Sequence, residues 1–296
     1  MGDSFTIDVQ GAFSLRESAE FGFGQRDAAS FDDRMRMAFV LDGYEEQVGV
    51  VLRQDGARIV GEIQHTGSAA DAPVDAVARQ VARILSLDHD GTAFADVGRR
   101  DPVIAGLQAV APGLRPPLFH SPFEAAAWSV LSARRPARQM SRVRDQLAGA
   151  HGARFDLDGR AMPAFPTPAQ LLAVDGFPGV PAQHMERLHG VARAAQAGTL
   201  DASRLLRMGP EAALSTVRRI RGIGPFYASL IVVRGTGFAD VLSPEEPRVR
   251  TLVGELYGFG RAVTPVELEE IADAWRPLRT WAAVLVRAAA ERQRVA

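Results

Sequence analysis

Phe5, Ile7 and Val9 alternate with polar residues. So do Met35, Met37, Phe39 and Leu41, and again Val48, Val50 and Leu52. Asp42-Gly43 and Asp55-Gly56 separate these runs, and Ile59 and Ile63 continue the pattern. Period-two runs split by Asp-Gly predict hairpin-linked strands, an antiparallel meander with one buried face. From Val74 the period lengthens: Val77, Val81, Ile84 and Leu85 fall on one face of a helix.

Beyond residue 101 the pattern is helical. Ser121-Pro-Phe-Glu124, Thr167-Pro-Ala-Gln170 and Thr264-Pro-Val-Glu267 each have the form of a capping box with proline at the first helical position. The helices they open end near Leu131, Val174 and Trp275. Further helices are predicted over His184–Gln196, Pro210–Ile220, Pro225–Arg234, Arg248–Tyr257 and Leu278–Arg292. The expected fold is mainly α with an N-terminal α+β domain: an antiparallel-sheet domain over residues 1–100 and an α-helical body over 101–296. A length of 296 residues agrees with two domains.

Two absences narrow the chemistry. The chain has no cysteine, which excludes disulfides, iron–sulfur clusters, thiolate zinc sites and cysteine nucleophiles. It has no lysine either, which excludes a P-loop lysine and a Schiff-base nucleophile. Charge is uneven along the chain. Residues 1–100 carry 10 Arg against 17 Asp and Glu, a net −7; residues 101–296 carry 24 Arg against 18, a net +6. A polyanion would meet the C-terminal part. No run approaches the roughly 20 apolar residues that span a bilayer. The start, Met1-Gly-Asp-Ser-Phe-Thr6, lacks the basic and apolar regions of a signal peptide, so a cytoplasmic protein is expected.

The most informative stretch is Ile220-Arg-Gly-Ile-Gly-Pro-Phe-Tyr-Ala-Ser-Leu-Ile-Val-Val-Arg234. One helix ends at Gly222-Ile223-Gly224 and Pro225 begins the next. Two glycines allow a tight turn and close approach of another molecule. The second helix then offers its N-terminal N–H groups and positive dipole end, which suit a phosphate. Arg218, Arg219 and Arg221 flank the turn. A plain turn between packed helices would use the same residues, with Ile223 in the core under either reading. A Gly/Pro-rich loop follows, Gly235 to Arg250, and places the carboxylate pair Glu245 and Glu246 at the mouth of the next helix.

This order of hairpin, loop and acid resembles the helix–hairpin–helix DNA glycosylases, most closely the DNA-3-methyladenine glycosylase II type. Gly11-Ala-Phe-Ser-Leu15, Asp101-Pro-Val103, Pro112-Gly-Leu-Arg-Pro116, Ser121 to Leu131, Phe165-Pro-Thr-Pro168, His189-Gly-Val-Ala192 and Trp275-Arg-Pro-Leu-Arg-Thr-Trp281 also match, so the likeness covers nearly the whole chain. It implies a monofunctional enzyme of base-excision repair that binds duplex DNA, flips a damaged base into a cleft and cuts its N-glycosidic bond. The helix–hairpin–helix would occupy about 210–234. Arg221, Gly222, Ile223 and Gly224 would hold a DNA phosphate, and the carbonyls of Arg221 and Ile223 a monovalent cation, Na+ or K+. No iron–sulfur cluster is implied. The expected partner is duplex DNA with a damaged base, bound by a nucleoid-associated monomer.

The chain departs from the family at three places. Where the family has its catalytic aspartate, this sequence has Glu246, with Glu245 as the neighbouring alternative and Pro247 restricting the backbone before it. The required carboxylate would stabilise an oxocarbenium-like sugar; the same carboxylate could equally cap the helix. Arg134 stands where relatives have an apolar wedge, and serves either to fill the gap left by the flipped base or as a surface charge. Trp128, Phe226 and Tyr227 are base-pocket candidates that helical spacing also makes core candidates, and Arg287 stands where relatives can have an aromatic. A non-catalytic damaged-DNA-binding protein on a glycosylase scaffold is the competing expectation.

Overall fold

A computed structural model describes residues 3–21, 31–64 and 73–293; Met1 and Gly2 of the N-terminal segment lie outside them. Strands β1 (Ser4–Asp8), β2 (Arg34–Val40), β3 (Gln47–Asp55) and β4 (Arg58–Gln64) form an antiparallel sheet in the order β1-β4-β3-β2. The last three strands are the expected meander, whereas β1 joins at the far edge, with Phe5 opposite Gly61. Helices α1 (Leu15–Phe21) and α2 (Val74–Ile84) cover one face; Leu15, Val77, Val81 and Ile84 cluster with Phe39, Val50, Leu52 and Ile59.

The sequence predicts one buried face, but part of the other is buried too. A second hairpin, β5 (Arg154–Leu157) and β6 (Arg160–Pro163), places Phe155 and Leu157 against Ala38 and Val51. The approach needs small residues on the sheet. A Cβ on Gly49 would lie 2.7 Å from the Phe155 ring and 2.8 Å from Leu157. The hairpin's own turn is Asp158-Gly159, both residues at positive φ, as a two-residue primed turn requires.

The helices that follow are α3 (Thr92–Arg100), α4 (Pro102–Val110), α5 (Pro122–Ser132), α6 (Ala137–His151), α7 (Pro168–Leu172), α8 (Ala182–Gln196), α9 (Ala202–Met208), α10 (Pro210–Val217), α11 (Pro225–Thr236), α12 (Pro247–Leu256), α13 (Pro265–Asp273) and α14 (Arg279–Gln293). They pack into two cores. One joins α5 through α11 around Phe123, Leu131, Leu188 and Ile231. The other joins α3, α4, α12, α13 and α14 around Leu107, Trp275 and Leu285. Phe94 and Val97 of α3 belong to this second core, which therefore runs across residue 100.

Thr167 and Thr264 complete the capping boxes that their spacing predicts. The third is only half formed. Ser121 Oγ accepts from Glu124 N, but the Glu124 carboxylate turns away to accept from Val40 N and to face His120 Nδ1 at 3.1 Å. The reason is topological: β2 is an edge strand, and its outward N–H groups lack a strand partner. Arg115, 1% exposed, fastens the sheet domain to the linker by donating to the carbonyls of Gln10, Ala12, Ser86 and His89. Asp101 caps α4 and accepts from Trp275 Nε1 at 2.9 Å, tying α4 to the segment before α14. Among the described residues no helix is long and apolar enough to cross a membrane.

Candidate nucleic-acid interface

Helix α10 stops where tight turns replace its last hydrogen bonds: Arg219 N donates to Thr216 O, Ile220 N to Val217 O and Ile223 N to Ile220 O. Ile220 and Ile223 are buried and anchor the turn in the first helical core. The glycines divide the remaining work. Gly222 has φ +94°, and a Cβ there would meet Arg187 Cδ at 2.8 Å. Gly224 has φ −85° and ψ 176°, extended backbone, and a Cβ there would enter open space. The strained position is thus Gly222, and the open surface lies at Gly224.

The hairpin is rich in unused donors. Gly224 is the N-cap of α11 and has no side chain to cap it, and Pro225 has no N–H. The N–H groups of Arg221, Gly222, Gly224, Phe226 and Tyr227 find no acceptor among the described residues. They stand at the positive end of the α11 dipole. The carbonyls of Arg221 and Ile223 accept no hydrogen bond either. Arg218 and Arg219 are exposed. The Arg221 guanidinium pairs with Glu186 on α8 at 2.7 Å, with both side chains mostly exposed. Such a pair contributes little to stability and is readily exchanged for another anion.

Beside the hairpin lies a pocket of ≈ 720 Å³. Its wall carries Gly222, Ile223, Gly224 and Tyr227 from the hairpin, Arg134 and Arg135 from the turn between α5 and α6, and His184 and Arg187 from α8. Arg134 is exposed and held at φ +56°, an uncommon backbone for a side chain of its size. Arg135 donates to Gly179 O at 2.7 Å. Burial first, and then the charges of Arg187 and Arg135, hold the His184 imidazole below its usual range. Arg135, His184 and Arg187 are absent from the sequence expectations. The available signal was the i, i+3 spacing of His184 and Arg187 beside the core residues Met185 and Leu188.

The other predicted residues do not line this pocket. Phe226 projects from the first turn of α11, 62% exposed, with its ring edge-on to Tyr227 at 5.3 Å. Trp128 is half-buried against the first helical core, with the Arg144 guanidinium over its ring at 5.8 Å. Glu246 is the N-cap of α12: its Oε2 accepts from Val249 N at 2.7 Å, and Oε1 carries no bond from the described residues. Its φ of −73° and ψ of 110° are the extended conformation that Pro247 demands. Glu245 is exposed. The loop before them is pinned at both ends. Asp240 accepts from Arg279 Nε at 2.8 Å, and the Ser243 hydroxyl meets Ser229 of α11 at 2.8 Å.

No family model matches the chain. The overall arrangement matches a solved structure titled 3-methyladenine DNA-glycosylase from Archaeoglobus fulgidus with a TM-score of 0.75, over 95% of this chain and 96% of that one, at 20% identity. The chain has the fold of the helix–hairpin–helix DNA glycosylases. A second solved structure, MBOgg1 in complex with a low-affinity DNA ligand, gives a TM-score of 0.72 at 18% identity, over 99% of this chain and 97% of that one. In sequence the chain is 24% identical over 214 residues to the DNA-3-methyladenine glycosylase of Bacillus subtilis strain 168, covering 70% of this chain and 69% of that protein. It is 28% identical over 180 residues to DNA-3-methyladenine glycosylase 2 of Escherichia coli K12, covering 60% of each.

Proposed function

We propose that the protein is a monofunctional DNA glycosylase that releases alkylated purines from duplex DNA in base-excision repair. The observation that carries this reading is the hairpin: five backbone N–H groups without an acceptor among the described residues, grouped around a turn bare of side chains at Gly224, at the positive end of α11. The names of the relatives in sequence support the substrate class. Hairpin amides and Arg221 take a phosphate near the lesion, a contact blind to base sequence. Arg134, on the pocket rim, enters the gap left by the flipped base, and Phe226, Tyr227 and Trp128 are the aromatics available to it. The body, residues 101–296, carries these groups and the domain of residues 1–100 braces it. The protein acts as a cytoplasmic, nucleoid-associated monomer.

The chemistry asks for one negative charge. As the bond from C1′ to the base nitrogen breaks, its electron pair leaves with the base and discharges an alkylated, cationic purine, so no proton donor is needed. The sugar becomes cationic and water adds at C1′, losing its proton to solvent. Glu246 faces that cation through Oε1 while Oε2 keeps the cap of α12. The chain has no lysine for a Schiff base, so strand cleavage by a lysine does not follow. The free carbonyls of Arg221 and Ile223 fit a monovalent cation such as Na+ or K+. Bound there, such an ion supplies positive charge beside the phosphate.

Single-turnover release of an alkylated purine from methylated duplex DNA tests the proposal. The parent releases base. Glu246→Gln lowers the rate about a hundred- to a thousandfold, the usual cost of a lost preorganised charge, while Glu245→Gln is mild and both variants bind duplex normally. A parent that binds DNA but releases none of several alkylated or deaminated bases is a binding protein. An equally fast Glu246→Gln removes Glu246 from the chemistry.

A further inference from the structure

The pocket beside the hairpin contains three nitrogens that the fold leaves without a partner. Arg135 Nη1, His184 Nδ1 and Arg187 Nε are buried and make no hydrogen bond among the described residues. They come from separate elements, the α5–α6 turn and the first turns of α8, yet all three residues line the same pocket. Buried guanidinium nitrogens without an acceptor are costly and are retained where a ligand completes them. The nearby carboxylate does not do so, because Glu186 is turned outward to Arg221. The Arg187 side chain packs against Gly222, where a Cβ would meet its Cδ at 2.8 Å, and shares the pocket with the hairpin backbone.

We propose that Arg135, His184 and Arg187 form a second phosphate seat beside the hairpin, with side-chain donors of its own, which takes one phosphodiester of bound DNA. The proposal rests on the DNA-binding reading above. Two guanidinium groups and an imidazole line the same pocket with unsatisfied nitrogens, and a phosphodiester has two charged oxygens for them to share. Arg135 is already held by Gly179 O, so little side-chain freedom is lost when the phosphate arrives. The seat adjoins Arg134, so the strand gripped there is one that passes the proposed wedge.

The test is binding of a short undamaged duplex at salt concentrations from 50 to 200 mM. In log–log form the slope is about −0.9 per neutralised phosphate. Arg135→Gln and Arg187→Gln singly weaken binding about tenfold with nearly the parent slope, because the remaining guanidinium still neutralises the phosphate. The double variant shallows the slope by about 0.9, one phosphate. Arg53→Gln, on β3, changes neither quantity. A double variant with the parent slope overturns the seat and leaves the glycosylase reading standing. A loss near 1.8 means two separate phosphates and also overturns it. A parent that does not bind duplex overturns both. Because Arg135→Gln gives up the bond to Gly179, a second readout uses the unaltered protein: the His184 ring nitrogen resonances shift when duplex is added. Resonances that stay fixed with duplex, or move only with inorganic phosphate, reject the proposal.

Discussion

Two glycines separated by one residue have opposite tasks. Gly222 is required by the fold: its φ of +94° and the nearness of Arg187 leave no place for a Cβ. Gly222→Ala is therefore expected to cost about 1–2 kcal/mol of stability, from the left-handed backbone penalty together with the contact. Gly224→Ala should leave the melting temperature near the parent's, since its backbone is ordinary and its Cβ would point into open space. That same methyl would stand where a phosphate approaches the α11 amides, so duplex binding should fall. Paired thermal melts and binding isotherms check both halves. A Gly224→Ala protein that binds like the parent would reduce the hairpin to a structural turn. The G-x-G spacing revealed the turn, but the sign of φ that separates the two positions is set by what packs behind them.

Helix starts were the most legible elements. Serine or threonine, then proline, then glutamate or glutamine three residues on, located α5, α7 and α13 to the residue. The box at α13 also has a pH signature. Its Glu267 carboxylate is bonded by Arg261 and by Thr264 N, with the arginine the larger cause, and is lowered from 4.5 to about 2. A depressed carboxylate stabilises the fold above its unfolded value and loses that contribution as pH falls through the folded one. Glu267→Gln should melt below the parent at pH 7, and the gap should close between pH 4.5 and 2. A gap constant across that range would mean the charge contributes nothing. The β5–β6 hairpin was less legible despite its Asp158-Gly159 turn, because two four-residue strands leave too short a run for alternation to register. The convergence of Arg135 with His184 and Arg187 could not be read locally at all, since about fifty residues of chain separate the two segments.

At the scale of the molecule, the sheet domain and the helical body are joined by buried polar contacts as much as by apolar packing. Arg115 is the clearest case. Burial lowers it to about 10, and its donors serve four backbone carbonyls from two segments. Arg115→Leu would leave those carbonyls without donors, at about 1–3 kcal/mol for each one that water cannot reach. Urea unfolding should show a loss of several kcal/mol, and a loss under 1 kcal/mol would mean that solvent replaces the arginine. Composition foretold a basic remainder and an acidic first hundred residues, but it gave no sign of where one packed unit ends and the next begins. The apolar cluster around the sheet closes at Leu87, and the cluster containing α14 takes up at Phe94. Of the residues between them, Ala93 packs against the second cluster and residues 88–92 belong to neither. Exchange of N-terminal units between relatives by recombination has a natural crossover there. A joint at residue 100 would separate Phe94 and Val97 from their partners, whereas a joint at 88–91 keeps the buried members of both these clusters whole and cuts only the contacts that Val40, Tyr44, Ala38 and Val51 make with the helical body and the β5–β6 hairpin.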